Sequence, residues 1–292
     1  MSVYFPRSDS AASEGPQYGY TPHEYVAIIF VVLFGISTIM HIGQATYYRM
    51  WWMLPTACLC GIGELVGWSG RLWSSFSPIL STPFMMQMTT TVLAPTPLIA
   101  VNFVLMSRIV TRLGPCYARL SPRQYTTIFL FCDIGALSIQ AIGGGVASSA
   151  DTLSGANMGA NIILAGIVLQ FVAIIVYSVL LADFLRRFIK DRPLRVPAER
   201  GTLDRKLRTL VQAIAFSTLM LFARSIYRII ELSGGWDGRI LHTEVYFNVF
   251  DGGLVVLAIF TMNAFHPGRL LRTRDVDAYG EKLGSRVTVA QV

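Results

Sequence analysis

Seven long apolar stretches constrain the fold of this chain more than any other feature. A helix needs about 20 largely apolar residues to cross the hydrocarbon core of a bilayer. The stretches that meet this requirement lie at roughly 24–47, 51–71, 83–107, 124–147, 159–184, 209–232 and 243–265. Because backbone that crosses a membrane must satisfy its own hydrogen bonds, we expect all seven to be helical. The sequence therefore predicts an all-α integral membrane protein with seven transmembrane helices, the third of them kinked at Pro95 and Pro97.

The composition supports a membrane protein and argues against several soluble classes. Only 14% of the residues are charged, whereas a typical soluble domain has about 25%. The hydrophobic share is 53% and the mean hydropathy is +0.52. The net charge of +7 would suit a nucleic-acid partner, but so few charges cannot solvate the surface of such an apolar chain. We therefore expect neither a soluble enzyme nor a disordered protein, and no nucleic-acid partner.

The lysines and arginines between the apolar stretches predict the orientation. Nine of them lie within 186–208, five lie beyond residue 268, and four lie within 108–123. The connections on the opposite side hold only two, Arg7 and Arg239. By the positive-inside rule the N-terminus is outside and the C-terminus is cytosolic. The basic cytosolic segments are also expected to contact anionic lipids of the inner leaflet.

The regions outside the spans and the cysteines add few constraints. We expect residues 1–20 to form a flexible outer tail, 21–268 to form the seven-helix membrane domain, and 269–292 to form a disordered cytosolic tail. Cys58 and Cys60 have no His or acid at zinc spacing nearby, so no metal site is predicted. His41 and His266, at the ends of two spans, are interpreted as capping or interfacial residues.

Polar side chains recur inside the spans at helical spacing. Such residues are costly in a membrane and usually face the bundle interior or a wet cavity. The candidates are Glu64, Trp68, Arg71, Asp133, Gln140, Gln170, Arg224, Arg228, Glu231, Glu244, Asn248 and Asp251. At about 1.5 Å per residue, most of them fall in the outer half of the membrane. We expect a substrate cavity that opens toward the outer leaflet above Asp133. The alternative is that these side chains form salt bridges that only fix the helix register.

Short motifs argue against several classes of membrane protein. The third span ends in Met106-Ser107-Arg108-Ile109, without the acid–Arg–aromatic triplet of a rhodopsin-like receptor. The last span has Asn263-Ala264-Phe265-His266-Pro267 and not Asn-Pro-x-x-Tyr. All three lysines are predicted to be cytosolic, so no retinal Schiff base can form. The sequence has no HExxH, no GxSxG and no Gly-rich phosphate loop, and we predict no catalytic residue, no cofactor and no enzymatic activity.

Six short motifs follow one another in order between residues 18 and 268. They are Glu64-Leu-Val-Gly67-Trp68-Ser-Gly-Arg71; Leu93-Ala94-Pro95; Asp133 with Gln140-Ala-Ile-Gly143-Gly144-Gly145; Gly166 with Gln170; Arg224-Ser-Ile-Tyr227-Arg228-Ile-Ile-Glu231; and Glu244 with Phe250-Asp251 and His266-Pro267-Gly268. Together they resemble the fungal RTA-like proteins, a family named for resistance to aminocholesterol and also called lipid-translocating exporters. The sequence departs from the family pattern at Asn248, where a Tyr is expected, and at Trp68, where Tyr is commoner.

The resemblance implies a function without a catalytic assignment. Family members are associated with the export or flopping of sphingoid bases, with porphyrin handling, and with resistance to toxic sterol amines. It implies that this chain translocates an amphiphilic lipid in a fungal plasma membrane. The three arginines and five acids of the spans sum to −2, which suits a protonated amine better than a phosphate. Two alternatives stay open: a lipid-sensing, receptor-like regulator that signals through 186–208, and a membrane enzyme that modifies lipids.

Overall fold

The computed structural model describes residues 18–150, 152–195, 200–235 and 238–271. Within these ranges all regular secondary structure is helical and no strand occurs. The prediction of an all-α protein is therefore confirmed. The predicted outer tail from 1 to 17 and the predicted cytosolic tail from 272 onward lie outside the described residues.

The described residues form nine α-helices. They are α1 (Glu24–Tyr47), α2 (Leu59–Phe76), α3 (Ser81–Leu93), α4 (Thr96–Leu113), α5 (Pro122–Ser148), α6 (Leu153–Ile189), α7 (Arg205–Ser233), α8 (Glu244–Phe247) and α9 (Leu254–Ala264). Two 3₁₀ turns occupy Trp51–Met53 and Pro115–Tyr117. Two π-helical turns occupy Leu54–Cys58, before α2, and Asn248–Gly253, between α8 and α9.

Six helical segments in the described part of the chain are long and apolar enough to cross a membrane. They are Glu24–Tyr47, Ser81–Leu113, Pro122–Ser148, Leu153–Ile189, Arg205–Ser233 and Glu244–Leu271. The chain is thus an integral membrane protein. Helix α2, in the second predicted span, is not apolar enough to be counted, because its glycines, Glu64 and Arg71 lower its hydropathy. It nevertheless packs against both α1 and α3. The seventh crossing and the orientation stay predictions.

The third apolar stretch is broken into two helices at Ala94 and Pro95. Proline has no backbone N–H and its ring clashes with the preceding helical turn, so it interrupts the hydrogen-bond ladder. The helix is thus interrupted at the predicted position, in the form of a break between α3 and α4.

Glycines bring α5 and α6 into close contact. A Cβ atom at Gly143 would lie 2.6 Å from the backbone nitrogen of Ile163 and 2.9 Å from the backbone oxygen of Gly159. Such close backbone approach is typical of helix pairs in membranes. Helix α6 has 37 residues and is therefore about 55 Å long, well beyond the roughly 30 Å hydrocarbon core.

Backbone hydrogen bonds join the α4–α5 connection to the α6–α7 connection at the predicted cytosolic end. The N–H of Leu194 donates to the carbonyl of Cys116 at 2.8 Å, and the N–H of Gly201 donates to the carbonyl of Leu113 at 3.0 Å. The hydroxyl of Tyr117 donates to the carboxylate of Asp191. The end of α6 is consequently tied to the end of α4.

Candidate functional site

A buried cluster of ion pairs joins α7 to the last span. The Nε of Arg228 donates to Oδ1 of Asp251 at 2.8 Å, and its Nη2 donates to Oδ2 at 2.7 Å. Its Nη1 donates to Oε2 of Glu231 at 2.7 Å. One helical turn earlier, the Nε of Arg224 lies 2.8 Å from the same Oδ1 of Asp251. Asp251 is therefore held between two arginines, and the bidentate bond to Arg228 fixes its orientation.

The π-helical turn Asn248–Gly253 presents Asp251 to this cluster. Turns of this type are rare and often occur at functional sites. Gly252, the next residue, allows the ring of Trp68 to approach the turn, because a Cβ atom there would collide with that ring. The indole ring of Trp68 in turn stacks on Phe30 of α1, with the ring centroids 3.9 Å apart. The turn, α2 and α1 thus meet beside Asp251.

Pro95 explains how the arginines reach the backbone of α3. In a regular helix the N–H of residue 95 would donate to the carbonyl of Thr91, four residues earlier. Proline lacks that N–H, so the carbonyl is available. The Nη2 of Arg224 donates to it, and the Nη2 of Arg228 donates to the Thr91 hydroxyl oxygen at 2.8 Å. Thr91 therefore ties α3 to α7.

A second ion pair lies at the end of the bundle where α1 begins. The Nη2 of Arg71 donates to Oε1 of Glu244 at 3.2 Å and to the Tyr20 hydroxyl oxygen at 2.9 Å. Its Nη1 donates to Oε1 of Gln87 at 3.4 Å. The backbone N–H of His23 donates to Glu244 Oε1 at 3.0 Å. This pair thus links α2 and α3 to α8 and to the segment before α1.

Aromatic rings surround the buried guanidinium of Arg71. Its central carbon lies 4.7 Å from the ring centroid of Phe247, 5.2 Å from Tyr18, and 5.8 Å from both Tyr20 and Trp68. Burial raises the pKa of Tyr18 to about 12 and also raises the pKa of Tyr20, so both phenols stay neutral at physiological pH. Aromatic cages of this kind bind cationic groups. Here a side chain of the protein itself occupies the cage.

Two buried carboxyl groups stand apart from these pairs. Glu64 is 0% exposed and Asp133 is 2% exposed. Neither carboxyl has an ion-pair partner or a hydrogen bond of good geometry in the described ranges, and the nearest side-chain donors are Trp68 for Glu64 and Gln170 for Asp133. The three arginines of the spans are instead paired with Glu231, Glu244 and Asp251. The surplus charge of −2 in the spans therefore corresponds to Glu64 and Asp133.

An amide layer between α5 and α6 contains Gln140 and Gln170. The Nε2 of Gln140 donates to Oε1 of Gln170 at 3.3 Å, and the Nε2 of Gln170 donates to the Thr96 hydroxyl oxygen at 3.0 Å. Asp133 lies two turns before Gln140 on the same face of α5. Among the described residues, no hydrogen bond or ion pair connects this layer to the arginine cluster. The two groups are separate polar sites.

Comparison with known proteins decides the family. A model of the family described as RTA1 like protein matches residues 57–274, which is most of the chain. The chain belongs to this family. No solved structure gives a significant match to it.

Several relatives come from Saccharomyces cerevisiae. The sphingoid long-chain base transporter RSB1 is 27% identical over 304 residues, which covers 94% of this chain and 79% of the relative. Protoporphyrin uptake protein 1 is also 27% identical, with 85% of this chain and 91% of the relative covered. Protein RTA1 is 27% identical and covers 80% of each chain.

In this RTA1-like protein the candidate residues form a filled interior. Ten of them are only 0–6% exposed: Glu64, Trp68, Arg71, Asp133, Gln140, Gln170, Arg224, Arg228, Glu231 and Asp251. Glu244 and Asn248 are half-buried. In this conformation the side chains fill the space between the helices themselves, and a substrate cavity that opens toward the outer leaflet stays a prediction. Asp133, Gln140 and Gln170 lie apart from the arginine cluster, although all these residues were expected to line one cavity.

The two span-end histidines are buried and therefore not interfacial. His41 and His266 were interpreted as capping or interfacial residues, and His266 does cap the turn that follows it, because the N–H of Gly268 donates to its Nδ1 at 3.1 Å. The Nε2 of His41 lies 3.2 Å from the carbonyl oxygen of Ile259, and the ring of His266 stacks on Tyr48 at 5.0 Å. Packing of α1 against the last span encloses both rings.

Sequence reasoning missed several residues that complete the site. Thr91 and Gln87 carry no charge, although the position of Thr91 four residues before Pro95 was an available signal. Tyr20 and His23 precede the first span, and no helical spacing connects them to Arg71. The packing of Tyr20 also places the start of the folded domain before residue 21, where the boundary was predicted.

Proposed function

We propose that this chain binds an amphiphile with a protonated amine head, such as a sphingoid base or a sterol amine, and exports it across a fungal plasma membrane. It would act as a transporter rather than an enzyme and contribute to resistance to toxic amphiphiles. Lipid-related membrane transport is supported by the family and by relatives named for sphingoid-base transport and protoporphyrin uptake.

One observation carries the choice of an amine: the surplus of buried acid at Glu64 and Asp133. An ionised carboxylate without a partner is costly in an apolar interior, so a proton or a cation must neutralise it. A protonated primary amine supplies one positive charge and three N–H donors. A phosphate head would instead add negative charge. The unpaired acids therefore favour a cationic head group.

Glu64 lies close to the charged groups of the arginine cluster. Glu64 interacts electrostatically with Asp251, Arg224 and Arg228, which come from two other elements. These three groups are already paired, so they leave the carboxyl of Glu64 free for a ligand. Because the cluster is closed in this conformation, transport requires the helices around it to separate. Asp133, in another layer of the bundle, would be a second acidic position.

The test uses the full chain reconstituted in phosphatidylcholine vesicles with a fluorescent sphingoid base. We expect transfer between leaflets, slowed at least about tenfold by Glu64→Gln or Asp133→Asn. Both substitutions keep the size of the side chain and an oxygen that can accept from the neighbouring Trp68 or Gln170 side chain, so both variants should fold. Asp183→Asn is the matched control, because Asp183 pairs with Arg119 and Arg187 near the surface and should not matter. A fluorescent ceramide, which has no amine, should not be transferred.

Other outcomes would favour the alternatives. Transfer at the parent rate by both Glu64→Gln and Asp133→Asn would contradict the assigned role of these acids. Binding of the sphingoid base without transfer would favour a lipid sensor. A chemically changed product would favour a lipid-modifying enzyme.

A further inference from the structure

Two adjoining cavities lie at the end of the bundle opposite the ion pairs, where α1, α4 and α9 end. The large inner cavity has a volume of about 740 Å³ and is lined by residues that include Arg49, Trp52 and Arg108. The small inner cavity has a volume of about 300 Å³ and is lined by residues beside α9. Tyr47 and Tyr48 line both. The proposed amine site does not involve this region.

The inner cavities are lined by cations and aromatic rings. Arg49 and Arg108 line the large cavity and Arg269 lines the small one. The guanidinium of Arg108 lies 5.0 Å from the ring centroid of Trp52. No Asp or Glu occurs among the described residues that line either cavity. Guanidinium groups match the geometry of a phosphate, so this lining favours a phosphate-bearing anion.

The small inner cavity also contains buried polar atoms without a partner. Oε1 of Gln44, Oδ1 of Asn263 and Nε2 of His266 have no hydrogen bond in the described structure. Asn263 is 3% exposed and His266 is 2% exposed. Buried polar atoms normally have partners. These three atoms are enclosed in this conformation, so a ligand in the cavity would supply partners once the side chains turn toward it.

The existing hydrogen bonds determine whether each of these atoms can donate or accept a hydrogen bond. The N–H of Gly268 donates to Nδ1 of His266 at 3.1 Å, so the neutral ring carries its proton on Nε2 and can donate there. The amide nitrogens of Gln44 and Asn263 already donate, to the Asn263 carbonyl at 3.0 Å and to the Ser37 hydroxyl oxygen at 2.6 Å. Their oxygens are left to accept. The small cavity therefore offers one donor for an oxyanion and two acceptors for hydroxyl groups.

The surrounding rings place the cavities at the depth of lipid head groups. Tyr47 is 73% exposed, and Trp51, beside the large cavity, is also exposed. Exposed Tyr and Trp side chains concentrate at the membrane interface. The distribution of lysines and arginines predicts that this end faces the cytosol, where the leaflet contains anionic phospholipids.

We propose that the two inner cavities bind the head group of an anionic phospholipid whose phosphate carries a hydroxyl-rich substituent, as in phosphatidylinositol. Arg49 and Arg108 would contact the phosphate from the large cavity. Gln44 and Asn263 would accept hydrogen bonds from the hydroxyl groups in the small one. A soluble inositol phosphate shares this chemistry, but the interfacial position favours the lipid.

The experiment titrates the full chain in neutral detergent with dioctanoyl phosphatidylinositol and measures binding by calorimetry. We expect saturable binding, and weaker binding of dioctanoyl phosphatidylcholine. The double variant Arg49→Gln/Arg108→Gln should bind phosphatidylinositol about ten- to a hundredfold more weakly. The control Arg123→Gln/Arg208→Gln removes two exposed charges predicted to lie on the same side and should bind as the parent does. Equal losses in both double variants would overturn the assignment, because they would indicate a general charge effect.

Two further measurements test the ligand class. Gln44→Met keeps the side-chain length but removes an acceptor, so it should reduce the preference for phosphatidylinositol over phosphatidic acid by about threefold or more. An unchanged preference would contradict the hydroxyl contacts. Free inositol 1-phosphate should bind more weakly than the lipid. If it binds as tightly, the site takes a soluble phosphate and the lipid proposal is wrong, and equal binding of phosphatidylcholine would overturn it as well.

Discussion

The substitution Arg228→Met tests whether charge compensation holds the buried cluster together. The guanidinium of Arg228 donates four hydrogen bonds, two to Asp251, one to Glu231 and one to Thr91. Three of these bonds, to Asp251 and Thr91, join different helices, and at about 0.6 kcal/mol each on average in a membrane they would account for about 1.8 kcal/mol. Removal of one partner of a buried ion pair costs about 3–5 kcal/mol, because the other charge is left buried. We therefore expect Arg228→Met to lower the free energy of unfolding by about 3–5 kcal/mol.

A second substitution separates the charge effect from the lost hydrogen bonds. Arg228→Met leaves Arg224 to compensate both Asp251 and Glu231. Adding Glu231→Gln restores the charge balance of the cluster, because one arginine, Arg224, then faces one acid, Asp251. The Nε of Arg224 lies 2.8 Å from Asp251. The double variant should therefore be more stable than Arg228→Met by about 1–2 kcal/mol, within the usual range for coupled neighbours. The control is Arg119→Met, in an ion pair whose arginine is 54% exposed, and it should cost less than about 1 kcal/mol.

The assay measures the free energy of unfolding of the full chain in mixed micelles, with SDS as denaturant and circular dichroism as the signal. Transport need not be measured, so the result is independent of the proposed substrate. A cost below about 1 kcal/mol for Arg228→Met would refute the reasoning. So would a double variant that is no more stable than Arg228→Met alone.

Two further substitutions test the helix break and the glycine contact. Pro95→Ala supplies an N–H that competes with Arg224 for the Thr91 carbonyl, so sphingoid-base transfer in vesicles should slow severalfold; an unchanged rate would contradict the role of this carbonyl. Gly143→Val places a side chain against the backbone of α6 and should abolish the monodisperse peak in size-exclusion chromatography, whereas Gly145→Val, with no atom within 4 Å of its Cβ position, should keep it.

The sequence predicts the helices well because each one depends on local hydropathy. The first predicted span, 24–47, coincides with α1, and the prolines of the third stretch predict its break. The least well predicted is the second span, because Glu64 and Arg71 lower its hydropathy although the fold buries both. Local composition cannot reveal that burial.

The pairing of the charged residues could not be predicted from spacing. Helical periodicity places Arg224, Arg228 and Glu231 on one face of α7, and this face does turn inward. It does not identify their partners, since Asp251 and Glu244 belong to elements whose positions depend on the whole bundle. For the same reason spacing could not show that Asp133, predicted at the floor of the cavity, lies on α5 beside the amide layer. Side-chain volume, which decides whether such residues enclose a cavity or fill it, also requires the packed structure.

The length of α6 has a practical consequence for experimental structure determination. A small membrane protein with little mass outside the bilayer is difficult to align in electron micrographs. Helix α6 exceeds the hydrocarbon core by roughly 25 Å, and it ends at Ile189 on the same side as α7 begins at Arg205. A rigid helical fusion partner that joins these two ends would be held in a fixed orientation relative to α6 and α7. Such a marker would leave the ion-pair cluster unmodified, but it would replace Leu194 and Gly201, whose N–H groups donate to Cys116 and Leu113.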